Sequence, residues 1–88
     1  MEHVRGQVLD GDKVIAEGIE ITAIVDPRAN SRKWYGCFVV SDQWSPEITG
    51  PLTLEFEDGR SGQVLVWRTK SSAPEQTTVF FDGTTALG

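Results

Sequence analysis

Cysteine is nearly absent from this sequence. Cys37 is the single one among 88 residues, so no internal disulfide can form and no thiolate cluster can hold a metal. A small chain without disulfides fits a reducing compartment, and the cytoplasm is the expected setting. Histidine is equally scarce. His3 is the only one, no paired ligand spacing exists, and neither a zinc site nor any other cofactor is expected. Long apolar runs are missing too. None nears the roughly 20 residues of a membrane helix, and the opening MEHVRGQV has no hydrophobic signal core. A membrane partner is therefore not expected. Cations are few, with 8 Lys and Arg against 13 Asp and Glu and a net charge of −5. Binding to nucleic acid depends on phosphate neutralisation, so this charge balance argues against it. Helical periodicity is also lacking, since no stretch of ten or more residues repeats its apolar positions every 3.6 residues between caps.

What remains are short runs with turn signals between them. GIEITAIV places Ile19, Ile21, Ala23 and Val25 on one face and Glu20 and Thr22 on the other. LTLEFE alternates in the same way. Asp58-Gly59 separates it from QVLVWRTK and is a strong hairpin signal. Asp10-Gly11-Asp12 reads as a turn rather than a calcium loop. Gly18 marks a turn or bulge, Asp26-Pro27 ends a strand, and SSAPEQ reads as a loop before TTVFFD. The length allows one domain, residues 1–88, with 82–88 as a polar C-terminal tail. The expected fold is all-β, a small antiparallel barrel or sandwich of five to seven short strands, with an SH3-like barrel as the nearest match in size.

Three strands break the inside–outside alternation of a lone barrel. In WYGCFVV, Trp34, Phe38 and Val40 oppose Tyr35, Cys37 and Val39. Val64 and Val66 oppose Leu65 and Trp67, while Val79 and Phe81 oppose Phe80. Strands that are apolar on both faces are normally covered on both faces. A bulge at Gly36 or Gly62 would instead reset the phase and leave one face merely mixed. Trp44, in the loop SDQWSPEITGP, is read as a lid over the barrel, an exposed anchor, or a loop residue with no role. The candidate partner-binding residues are Tyr35, Trp44, Trp67 and Phe80.

Catalytic chemistry finds little support. Cys37 and His3 would need to meet beside an oxyanion site, and no motif supplies one. Glu55 and Glu57 share a strand face that reads as solvated. EDGRSGQ carries glycines but joins two strands, with no helix N-terminus to hold phosphate. No catalytic residue is assigned, and the chain is read as a non-enzyme.

The loop DPRANSRK gathers Arg28, Arg32 and Lys33 and is the candidate anion-binding segment. The spacing of Arg28 and Arg32 resembles the R-x-x-x-R of the PilZ domain, a small barrel that binds cyclic di-GMP through such a loop. That family's second motif is not matched, because DGRSGQ puts Ser61 one position late and Gly62 directly after it. Its arginines also precede the barrel strands, whereas at least two strands come first here. The resemblance covers two residues and carries no function over. The expected role is a non-enzymatic binding or assembly module that self-associates as a homodimer or docks a protein partner. The alternative is a barrel that binds a small anion or nucleotide.

Overall fold

A computed structural model of the chain describes residues 2–25, 33–41 and 51–88, with the backbone alone at residues 72 and 73. Six strands follow one another: β1 (Glu2–Asp10), β2 (Lys13–Val25), β3 (Trp34–Ser41), β4 (Pro51–Phe56), β5 (Ser61–Ala73) and β6 (Gln76–Gly83). They close into an antiparallel barrel in the order β1-β2-β3-β6-β5-β4. The expectation of a small all-β barrel therefore holds. Full closure leaves no sheet edge running the length of the barrel.

The alternation read in the sequence sets the interior. Ile21 and Ala23 from β2, Leu52, Leu54 and Phe56 from β4, and Val79 and Phe81 from β6 are all buried. Trp34, Phe38 and Val40 join them from β3, and Val64 and Val66 from β5. Of the two apolar faces of residues 34–40, the one headed by Trp34 is thus the inside.

Trp34 is the largest of these side chains. Its indole Nε1–H donates to the Thr85 carbonyl oxygen at 2.7 Å, so its one polar atom is satisfied although the ring is buried. Phe56 and Phe81 meet the ring edge-on at 6.2 and 5.4 Å. Gly62 and Gly83 supply the room, because a Cβ at Gly62 would lie 2.6 Å from Trp34 Cζ2 and one at Gly83 would overlap the indole. The strand glycine at 62 therefore admits an interior ring instead of making a bulge, and pairing runs through Gly36 and Gly62 without a register shift.

The bulges lie elsewhere. Gly6 pairs with Ile19 and Val8 with Ala16, so β2 gains a residue around Gly18, which takes a φ of 63°. This is the irregularity that Gly18 signalled. In β5, Val66 pairs with Phe81 and Arg68 with Phe80, which leaves Trp67 as the extra residue. The segment expected as the loop SSAPEQ is mostly strand. Ser71 pairs with Thr77 and Ala73 with Gln76, so only Pro74 and Glu75 turn the chain, Glu75 at a φ of 63°. Polar composition hid that extension, since an exposed hairpin arm has no apolar face to alternate.

The segment expected as a tail is also integrated. Asp82 and Gly83 complete β6. Thr84 donates to the Gln63 carbonyl at 2.8 Å, the Thr85 hydroxyl accepts from the Gln63 N–H at 2.9 Å, and Gly88 and Ser61 exchange backbone hydrogen bonds of 3.1 and 3.3 Å. Leu87 is buried. One apolar residue in GTTALG is too little for a periodicity signal, yet it is enough to seat the segment beside Trp34.

The close fit at Trp34 gives a stability prediction. Gly83→Ala forces a methyl group into the indole and should cost about 1–3 kcal/mol by overpacking. Urea unfolding followed by tryptophan fluorescence would show the lowered midpoint. An unchanged midpoint would mean that Trp34 is not seated against Gly83.

Candidate functional site

With Trp34, Phe38 and Val40 inside, the alternate residues of β3 must point outward. Tyr35 is 49% exposed and Val39 38%. β6 places Phe80 opposite Cys37, and Thr78 opposite Val39. β5 adds Leu65 at 45% exposure and Trp67 at 59%. These side chains make one outer sheet face across β3, β6 and β5, interrupted at its lower edge by Asp82, which stands between Tyr35 and Leu65.

The bulge in β5 shapes the middle of this face. Trp67 and the next residue, Arg68, both lie opposite Phe80. The Trp67 and Phe80 rings are 5.7 Å apart and tilted, and the Arg68 guanidinium sits 6.0 Å from the Phe80 centroid, within reach of a cation–π attraction. Phe80 is therefore half-buried although it lies outside the barrel. Trp67, the extra residue, stays more than half exposed.

Three of the four residues expected to bind a partner, Tyr35, Trp67 and Phe80, thus converge on one surface. Trp44 lies outside the described residues. The same is true of Arg28 and Arg32, while Lys33 is exposed at the entry to β3. Val39, Leu65 and half-buried Cys37 belong to the face as well. Their signal was present in the sequence, since each alternates with a buried residue in the same two-sided run.

The groups considered for catalysis are kept apart. His3 Nδ1 lies 3.1 Å from the Thr22 hydroxyl and 3.5 Å from a Glu20 oxygen. Thr22 in turn pairs with Cys37, so a whole strand separates the imidazole from the thiol. Glu55 accepts from Gln7 Nε2 at 2.6 Å and stays exposed. Among the described residues, no three His, Cys, Asp or Glu side chains gather closely enough to hold a metal.

A second surface feature is an open groove of about 720 Å³, lined in part by Gln7, Glu17, Glu55, Phe56, Glu57 and Arg60. Arg60 is already engaged. It bonds Asp58 through Nε and Nη2 at 2.9 and 2.8 Å, reaches Glu2 at 2.9 Å, and lies 5.2 Å from the Phe56 centroid. This cluster ties the turn after β4 to the start of β1 instead of offering a free cation.

Comparison with known proteins identifies no relative. No family model matches the chain, and no curated protein or solved structure matches it. The spacing shared with the PilZ domain stays confined to Arg28 and Arg32. Function has to be read from the surface itself.

The Arg60 cluster carries a pH prediction. Hydrogen bonds from the Arg60 side chain hold the Asp58 carboxyl below its ordinary value of 3.8. A depressed carboxylate stabilises the fold above its unfolded value and loses that contribution as pH falls through the folded one. Asp58→Asn should therefore lose less stability than wild type between pH 5 and about pH 3, within the carboxylate titration range. Urea midpoints at the two pH values would show this, and equal losses in the two proteins would contradict it.

Proposed function

We propose that the chain is a non-enzymatic binding and assembly module, an SH3-like small barrel working in the cytoplasm, that docks a protein through the outer face of β3, β6 and β5. One observation carries this reading: Tyr35, Val39, Leu65 and Trp67 remain 38–59% exposed on a single sheet face. Interior capacity does not explain their presence, because the barrel is already filled by Trp34, Phe38, Phe81 and their neighbours. Solvent exposure disfavours large apolar groups, and contiguous patches of them mark interaction surfaces. Tyr and Trp are also the residues most enriched where binding energy concentrates. The single, half-buried cysteine suits a reducing compartment.

The other reading, a small-anion or nucleotide site at Arg28, Arg32 and Lys33, rests on sequence alone. Its signature would be a nucleotide affinity that falls on Arg28→Ala and weakens with salt.

The docking reading is tested with Trp67→Ala. Trp67 is mostly outside the fold, so the variant should keep its near-ultraviolet circular dichroism and lose under about 0.5 kcal/mol of stability. It should also lose whatever association the wild type shows, whether self-association by light scattering or capture of a protein from extract. A wild type with no association that depends on Trp67 would contradict the reading.

A further inference from the structure

Resting on this face as a docking surface, we propose that its occupant is a second copy of the chain, packed about a two-fold axis that runs along the barrel between β3 and β6. The support lies in how charges flank the apolar residues. Val39 pairs with Thr78, and Thr78 with Lys70. Ile21 pairs with Phe38, which sets Glu20 beside Val39 on the far side of the row. A hollow of about 350 Å³ lined by Glu20, Thr22, Cys37 and Val39 places these side chains around one depression. One transverse row therefore reads Glu20, Val39, Thr78, Lys70. The next reads Thr22, Cys37, Phe80, Arg68.

The midpoint of both rows falls between β3 and β6. A half-turn about a line there exchanges β3 with β6 and β2 with β5. Glu20 then meets the partner's Lys70, and Lys70 meets the partner's Glu20. Each Cys37 faces the partner's Phe80, and Thr22 faces the partner's Arg68. An isologous interface requires this self-complementarity. Glu20 is 68% exposed, with His3 3.5 Å from its carboxylate and Arg5 as its cross-strand neighbour on β1, and Lys70 is exposed.

Charge also selects the occupant. The chain carries −5, but across this surface Asp82 and, on the adjoining β2, Glu20 stand against Arg68 and Lys70. A strongly acidic or basic partner gains little from a balanced face. A second copy, turned about this axis, matches it twice. Closure of the barrel directs association to a sheet face rather than to a strand edge.

Charge reversal tests the axis as well as the occupant. Glu20→Lys alone sets lysine against the partner's Lys70 at two places, and Lys70→Glu alone sets glutamate against the partner's Glu20. Each should weaken dimerisation by about tenfold, read by sedimentation equilibrium. The double variant Glu20→Lys/Lys70→Glu should recover wild-type affinity. So should an equimolar mixture of the two single variants, which then forms a heterodimer. Both positions are exposed, and circular dichroism checks that each variant is folded. Cys37 supplies an independent readout, because it is the only thiol. Two strands about 4.8 Å apart in sheets stacked about 10 Å apart put the two Cys37 backbones about 11 Å from one another with their thiols closer still, so a short bismaleimide should join the copies.

Single reversals that dimerise as well as wild type, or a double variant and mixture that stay dissociated, would overturn the proposed packing. A wild type that stays monomeric at millimolar concentration but binds another protein through Trp67 would overturn the second copy and leave the docking face standing. A wild type with no association that depends on Trp67 would overturn both.

Discussion

The seating of Trp34 governs the rest of the molecule. Its indole occupies the space left by Gly62 and Gly83, stacks edge-on against Phe56 and Phe81, and bonds the Thr85 carbonyl. Side chains alternate along a strand with a period of two, so one inward residue fixes the direction of every other. With Trp34 inside, Phe38 and Val40 follow it, and Tyr35, Cys37 and Val39 have no choice but to face out. The same ring recruits the end of the chain, since the carbonyl it needs belongs to Thr85 and the neighbouring Leu87 completes that part of the core.

The outer face is a consequence of that choice. A closed six-stranded barrel holds a limited set of side chains, and this sequence carries more large apolar groups than the interior takes. Among the described residues the surplus gathers across β3, β6 and β5, with Val14 on β2 the one exposed exception. The bulge at Trp67 adds to it by turning two successive residues, Trp67 and Arg68, toward Phe80. On an acidic chain such a surface would be a liability for solubility unless something covers it. Glu20 and Lys70 frame it symmetrically enough for another copy to be that cover.

Much of this was legible in the sequence. Alternation in GIEITAIV and LTLEFE identified core residues directly, and the two-sided runs at 34–40, 64–67 and 79–81 already separated Trp34 from Tyr35 and Val66 from Trp67. The Asp58-Gly59 hairpin and the irregularity at Gly18 were visible because glycine reports special backbone geometry. Three things were not. The hairpin end at residues 71–76, SSAPEQ, is polar and reads as loop. Leu87 stands alone, and a lone apolar residue has no period. The placement of Glu20 and Lys70 at opposite ends of one transverse row depends on strand order, which brings β2, β3, β6 and β5 side by side although they are distant in the chain. No local pattern encodes that order.

The most direct test of this account follows the indole N–H signals of Trp34 and Trp67 by NMR as protein concentration rises. Trp34 is sealed in the core and hydrogen-bonded, so its signal should stay fixed. Trp67 lies on β5 within the exposed face, so its signal should shift progressively as the face is covered. A Trp67 signal that does not move from micromolar to millimolar protein would contradict its cover by a second copy, and a Trp34 signal that moves in its place would contradict the division of this chain into one packed interior and one outer face.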